Sequence, residues 1–247
     1  ALLLAVSGAT PPEHGALIVI LAGGKGTRMP ASEQHLPKSL VEVAGKPILE
    51  HQLEFLRGQG FRNIRLALGH RADQVIAWLR EKRFRDVGYV VEEEPRGTGG
   101  GIRHAALDER KPFLALNGDI IADFDVRAAL RASGGGAYAV MTGVELRDVS
   151  GMGVIECDEH KRVCRFREKG AEQIGGLINA GLYVLRPEDL RAMPDAFSIE
   201  YDLFPRMASN GSFVLHEHTG SYWFDCGTPE RLAQVRDYFA YTHDRRA

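Results

Sequence analysis

The sequence predicts an α/β protein in which a mixed, mainly parallel sheet is flanked by helices and carries an antiparallel extension. Two observations predict it. In the first half, short β-rich apolar runs alternate with helical patterns, the signature of a parallel sheet built from β-α-β units. After Asp125 the apolar runs follow one another through short polar connections, the texture of antiparallel additions. The size agrees, because 247 residues with 44% hydrophobic and 26% charged side chains can bury one sizeable core or two small ones.

Residues 1–6 (ALLLAV) resemble part of a signal-peptide core, but no basic residue precedes them and they fall short of the roughly 7–15 apolar residues such a core needs. They read as a trimmed leader or an added segment, and residues 1–15 as an extension to one domain over 16–247. Strands are expected at 16–21, 64–68, 89–91 and 113–116, and helices at 47–57, 72–83 and 102–107. In the first helix Ile48, Leu49, Leu53 and Leu56, with Gln52 among them, follow helical spacing, and Gly58 and Gly60 stop it. Asp125 caps a helix that begins at Val126. Strand-like runs follow at 137–144, 154–157, 163–166 and 178–185. Thr228 and Pro229 open a last helix reaching 245, with Leu232, Val235 and Phe239 on one face.

Composition excludes several classes. Lys plus Arg total 31 and Asp plus Glu 33, so a formal net charge of -2 leaves no electrostatic footprint for nucleic acid or a membrane surface. The apolar stretches are far shorter than the ~20 residues of a spanning helix. Cys157, Cys164 and Cys226 are odd in number and form no C-x-x-C pair, which argues against a disulfide framework or structural zinc and fits a reducing cytoplasm.

The most informative stretch is 17–38, LIVILAGGKGTRMPASEQHLPK, where a buried-type strand runs into Gly23, Gly24, Lys25, Gly26, Thr27 and Arg28. Glycines let the backbone turn its N–H groups onto an anion, and Arg28 can fork onto phosphate oxygens. On its own such a loop is equally a tight turn without a ligand. Two better-known loops fail on spacing. A dinucleotide fingerprint needs glycine where Met29 stands, which removes a dinucleotide-dependent oxidoreductase; a P-loop ending at Gly45-Lys46 needs glycine at Leu40 and Ser or Thr at Pro47.

Other residues carry two readings each. Asp119 follows a strand, where a carboxylate can hold Mg²⁺, yet Asn117-Gly118-Asp119 is also a good turn. Lys38 could be a solvated loop cation, Glu92 to Glu94 a solvated run, and Glu168 and Lys169 two exposed charges pointing to opposite faces of a strand. His216 and His218 share a strand face but lack a third metal ligand. Tyr222 and Trp223 read as packing, and Cys226 as a small buried residue without a histidine partner.

The strand, the GGxGTR loop and Pro37-Lys38 are followed by EEEPRGTGGGI (92–102), NGD (117–119), GMGV (151–154), FREK (166–169), NAG (179–181) and WFDCGTPE (223–230). In this order they resemble the signature of the sugar-1-phosphate nucleotidyltransferases, over residues 17–239. The resemblance implies a Rossmann-like fold that binds a nucleoside triphosphate at the carboxyl ends of its strands. It also implies a Mg²⁺-dependent reaction in which a sugar 1-phosphate oxygen attacks the α-phosphorus and pyrophosphate leaves. The implied partners are those two small molecules, with no nucleic acid and no membrane, and a homo-oligomer is compatible with them.

By the same resemblance, Lys38 stabilises the reacting phosphates, Arg28 holds the leaving β- and γ-phosphates, and Asp119 and Asp225 bind the metal. Leu21, Ala22, Gly23, Gly24, Lys25, Gly26, Thr27, Glu92, Pro95, Gly97 and Thr98 surround the nucleotide, with glycines admitting the base. Gly153, Glu168, Lys169 and Asn179 meet the sugar phosphate. A Glu92 carboxylate only accepts, which suits the N1–H and N2–H₂ donors of guanine and favours GTP. The texture of EEEPRGTGGGIRHA, GLINAGLYVL and FSIEYDLFP is most similar to the D-glycero-α-D-manno-heptose 1-phosphate guanylyltransferases, with mannose-1-phosphate guanylyltransferases and uridylyltransferases as alternatives. Ser39, Cys226 and the Met29-Pro30 loop depart from the family pattern. A catalytically silent, nucleotide-sugar-binding relative is the reading of another class; it would be expected to lose a phosphate cation or a metal carboxylate, and Arg28, Lys38, Asp119 and Asp225 are all retained.

Overall fold

Ile18–Leu21 (β1) is an unbroken apolar run whose first three residues are fully buried, as the middle strand of a sheet covered on both faces requires. The computed structural model describes residues 15–26, 29, 33–149, 152–167 and 174–244. After β1 come a short ladder of Glu42–Val43 (β2) and Lys46–Pro47 (β3), helix Ile48–Gly58 (α1), strand Ile64–Leu68 (β4), helix Ala72–Glu81 (α2) and strand Gly88–Val91 (β5). Helix Gly97–Ala105 (α3), strands Phe113–Asn117 (β6) and Ile120–Ala122 (β7), and helix Val126–Ala132 (α4) complete the first half. The second half contains strands Ala139–Asp148 (β8), Val154–Cys157 (β9), Val163–Arg167 (β10) and Ile174–Leu185 (β11), then helices Pro187–Arg191 (α5) and Phe204–Ser209 (α6). Strands Phe213–Glu217 (β12) and Trp223–Asp225 (β13) and helix Pro229–Asp244 (α7) follow.

Strands β5, β4, β1 and β6 lie side by side in that order, all parallel. The chain therefore steps outward from β1 to β4 and β5, then returns to the other side of β1 for β6. The carboxyl ends of β1 and β6 border the crevice at this reversal, which is where open α/β sheets take their ligands. β11 joins β6 antiparallel and carries β8 and β9, with β10 beyond β9 and β12 beside β8. The expected parallel half and antiparallel extension thus form one mixed sheet.

Side chains alternate across β1. Ile18 and Ile20 pack with Leu49, Leu53 and Leu56 of α1 and Val75 and Leu79 of α2, while Leu17 and Val19 pack on the other face with Ile102 and Ala105 of α3 and Phe204 of α6. Each fully buried Leu or Ile contributes about 1.5–3 kcal/mol. A third cluster, of Val41, Val43, Ile48, Ile121, Cys226, Leu232 and Val235, fastens α7 over β7 and β13. Asp125 caps α4 by accepting from Ala128 N–H at 2.8 Å. Among the described residues no helix is long and apolar enough to cross a membrane.

Several elements differ from the sequence expectation, among them short α5 and α6 and the β2–β3 ladder, which it lacks, and two features matter for the site. The helix expected at 102–107 begins at Gly97 and ends at Ala105. Glycine is a poor helix former, but tertiary packing overrides propensity here: the Phe197 carbonyl accepts from Gly99 and Gly100 N–H (3.0 and 3.3 Å) and holds the first turn. The antiparallel ribbon of β7 and β13 has no counterpart in the expectation, since each strand is only three residues long.

Candidate active site

Leu21 at the end of β1 pairs with Asn117 at the end of β6, so Ala22–Gly26 and the Asn117-Gly118-Asp119 turn enter the crevice together. Only glycine permits this approach at 118, because a Cβ there would stand 2.1 Å from the Leu21 carbonyl oxygen. Beyond the turn, β7 pairs with β13, setting Asp225 opposite Ile120, and Cys226 N–H donates to the Asp119 carbonyl at 2.8 Å. The two acids, distant in sequence, become neighbours through six residues of ribbon.

Lys38 lies on a single helical turn, Lys38–Leu40, and its Nζ donates to Asp119 Oδ2. Asp225 is held at both oxygens, by Gly227 N–H on Oδ1 (2.6 Å) and by the Arg231 guanidinium on Oδ2. A Cβ added at Gly227 would lie 2.6 Å from Asp225 Oδ1 and 3.2 Å from Lys38 Nζ. These three side chains therefore face a common point. They line a cleft of about 1180 Å³ together with Leu21, Ala22, Gly23, Gly24, Lys25, Gly26, Glu92, Pro95, Gly97, Thr98, Gly153 and Asn179. Thr27, Arg28, Glu168 and Lys169 lie outside the described residues.

At one end of the cleft, Glu92 Oε2 accepts from Arg96 N–H at 3.5 Å, while the buried Oε1 has no hydrogen-bond partner among the described residues. Burial holds this carboxyl above its ordinary value, against the opposing Arg96 N–H and nearby cationic groups. A dehydrated acceptor without a donor is costly unless something supplies one. Gly97 and Gly99 lie against Phe197. A Cβ at Gly97 would meet the Phe197 carbonyl oxygen at 2.5 Å, and one at Gly99 the Phe197 ring at 2.1 Å.

At the other end, Asn179 Nδ2 donates to the Tyr183 hydroxyl (2.7 Å) and its Oδ1 accepts from Gly181 N–H (2.9 Å). Burial raises the Tyr183 hydroxyl far above its ordinary value, so it stays neutral and fixes the asparagine. Trp223 donates from Nε1 to the Ala180 carbonyl at 2.8 Å, and Tyr222 packs among Phe224, Tyr238 and Phe239. Cys226 is fully buried, its thiol pushed up to about 12 by burial, and is unsuited to nucleophilic attack.

Three cleft residues escaped the sequence reading. Glu200 accepts from Thr98 Oγ1 (2.7 Å) and Ser198 Oγ (2.9 Å), Arg231 pairs with Asp225, and His70 stands at the end of β4. An arginine in the first turn after WFDCGTP was the readable signal for the second, since a cation there sits one turn above the acid; His70 and Glu200 carried none. Among the described residues no group of three or more His, Cys, Asp or Glu could hold a metal ion. Asp119 and Asp225 nevertheless fit one kind of ion. Mg²⁺ is characteristically bound through one or two carboxylates, with water and substrate phosphate oxygens completing its shell.

Comparison with known proteins agrees with this fold. The Nucleotidyl transferase family model matches residues 17–240. A mannose-1-phosphate guanyltransferase from Debaryomyces hansenii is 35% identical over 223 residues, covering 86% of this chain and 61% of the relative. The mannose-1-phosphate guanylyltransferase catalytic subunit beta of Drosophila pseudoobscura pseudoobscura is 37% identical over 227 residues, covering 88% and 60%. The chain thus spans about three fifths of the length of these curated relatives. The crystal structure of HddC from Yersinia pseudotuberculosis complexed with GMP-PN superposes with a TM-score of 0.81 at 33% identity, over 91% of this chain and 99% of that one. The chain belongs to the nucleotidyl transferase family.

Proposed function

We propose that this protein is a sugar-1-phosphate guanylyltransferase that condenses a sugar 1-phosphate with GTP, releasing pyrophosphate and the GDP-sugar. The observation that carries the reading is the joining, in one cleft, of Lys38, Asp119 and Asp225 at one point and the unpartnered Glu92 Oε1 at another. The nucleophile is already an anion, so the site needs no general base. Its task is to bring like-charged phosphates together and to neutralise them, which positioning and electrostatics accomplish. Lys38 supplies a cation at the reacting phosphates, the 22–26 backbone presents N–H groups to the triphosphate, and Glu92 Oε1 accepts from the guanine edge. Asp119 and Asp225 would hold Mg²⁺, which neutralises and aligns phosphate oxygens when bound.

GTP is supported by Glu92 and by the GMP-PN complex of HddC. For the sugar, we propose D-glycero-α-D-manno-heptose 1-phosphate on the resemblance of 92–105 and 176–185; mannose 1-phosphate is the second reading, favoured by the activity named for the curated relatives. We also propose a cytoplasmic location, supported by three cysteines that form no C-x-x-C pair. The test is Mg²⁺-dependent pyrophosphate release, with GTP, UTP, dTTP, CTP and ATP each crossed against heptose, mannose, glucose and N-acetylglucosamine 1-phosphates. Turnover with GTP and one of the first two sugars, lost in Asp225→Ala, is expected. Folded protein that releases no pyrophosphate from any pair would overturn the proposal.

A further inference from the structure

α1 turns Ile48, Leu49, Leu53 and Leu56 inward, and one carboxamide is buried with them: Gln52 is 3% exposed. Both hydrogens of its Nε2 go to backbone carbonyls, Asn117 O and Ile120 O, each at 2.8 Å. Both partners only accept, so chemistry fixes which end of the amide faces them. Its Oε1 has no hydrogen-bond partner among the described residues, so the side chain is used for its donors alone.

Those two carbonyls are the first and last of the four-residue segment, Asn117 to Ile120, that carries Asp119 between β6 and β7. From the other side the same segment rests on the Leu21 carbonyl, where Gly118 packs. We infer that Gln52 is a positioning residue: one amide group bridges both ends of the turn and fixes the direction in which Asp119 projects toward Lys38 and Asp225. An apolar side chain of similar size would fill the same layer and leave both carbonyls without their donor. Core packing therefore does not account for a glutamine here, whereas holding a turn whose geometry matters does. The inference rests on the role proposed above for Asp119.

The test compares Gln52→Met with Leu53→Ala, a cavity-forming change on the same helix. Amide hydrogen exchange is followed at Gly118, Asp119 and Ile120 by NMR, and kcat and the KM for GTP are measured well below the melting temperature. In Gln52→Met, exchange at the turn should quicken by about tenfold or more while β1 stays protected. Its kcat should fall by about 100-fold while the KM for GTP rises much less, because the loop of 22–26 and Glu92 sit on other elements. Leu53→Ala should lower the melting temperature and leave both the turn exchange and kcat close to those of the unmodified protein. Should Gln52→Met fail to fold, Gln52→Asn keeps the donors but is one methylene too short to reach both carbonyls, and should show the same split in milder form. Exchange and kcat indistinguishable from those of Leu53→Ala would overturn the inference. An unmodified protein without any turnover would overturn the proposed function instead, and the exchange rates would still decide whether Gln52 clamps the turn.

Discussion

Gly118→Ala tests whether the approach of β1 to the Asp119 turn is as tight as the structure makes it. The added Cβ would stand 2.1 Å from the Leu21 carbonyl oxygen and 3.0 Å from the Leu21 carbonyl carbon. Leu21 cannot yield, because β1 is hydrogen-bonded to β4 on one side and β6 on the other. The turn must retreat by about 1.3 Å or more to reach ordinary contact, and Asp119 moves with it. Overpacking of this kind costs about 1–3 kcal/mol, which for a domain of this size lowers the melting temperature by about 2–12 °C. A displacement of that size at a reacting centre costs about 100-fold in rate. Circular dichroism melts and pyrophosphate release at 25 °C separate the two effects, since protein that is still folded at 25 °C should already have lost its turnover. Gly58→Ala is the control: nothing lies within 4 Å of its Cβ, and alanine near the end of α1 should stabilise by about 0.5–1 kcal/mol. Gly118→Ala with unchanged melting temperature and kcat within about twofold of the unmodified protein would refute the argument.

Glu92→Gln should lower the preference for GTP over UTP by about 10- to 100-fold, since one acceptor is exchanged for a donor that uracil can use; kcat/KM for the two nucleotides measures it. The pH dependence follows from the same group. Burial raises the Glu92 carboxyl, and only its ionised form leaves both oxygens free to accept, so KM for GTP should rise as pH falls toward that raised value, and the Gln variant should lose this component. Thiol alkylation at pH 8 should label the exposed Cys164 first and leave the buried Cys226 untouched until unfolding. Cys157, half-buried and pushed from 9.0 up to about 11, holds about 100-fold less thiolate than an ordinary cysteine at that pH and should react slowly; peptide mass mapping gives the order.

Legibility followed the length scale of the signal. α1 and α2 were readable because each buries one face over several residues, so periodicity records the burial, and β1 and β4 because each is a short, mostly buried apolar run. The β7–β13 ribbon was not, because three residues carry no period and its partners lie far apart in sequence. The same contrast holds in the cleft. Lys38, Asp119 and Asp225 could be named from motifs, but their convergence comes from that ribbon, and Arg231 and Gly227 are set against Asp225 only when it is in place. Gln52 was seen as a polar interruption in an apolar stripe, and only the two carbonyls explain it. Phe197, which packs against Gly97 and Gly99 beside the cleft, is likewise a residue that no local pattern connects to them.

The charge arrangement argues for chemistry over a merely structural or ligand-storing role. Lys38 with Asp119 and Arg231 with Asp225 form two pairs whose side chains are 15–28% exposed, each of a kind that contributes little to stability. A ribbon needed only for packing would place neutral turn residues at 119 and 225, yet two acids face the same point at Lys38 Nζ and must be kept from repelling one another. The two cations do that while no substrate is present. Under the proposed function, the phosphate oxygens of a triphosphate would draw the same cations, and Asp119 and Asp225 would then be free to hold a Mg²⁺ ion. A protein that only bound a nucleotide would gain more from cations without the acids, so the four-charge centre fits a site that must rearrange its partners during a reaction.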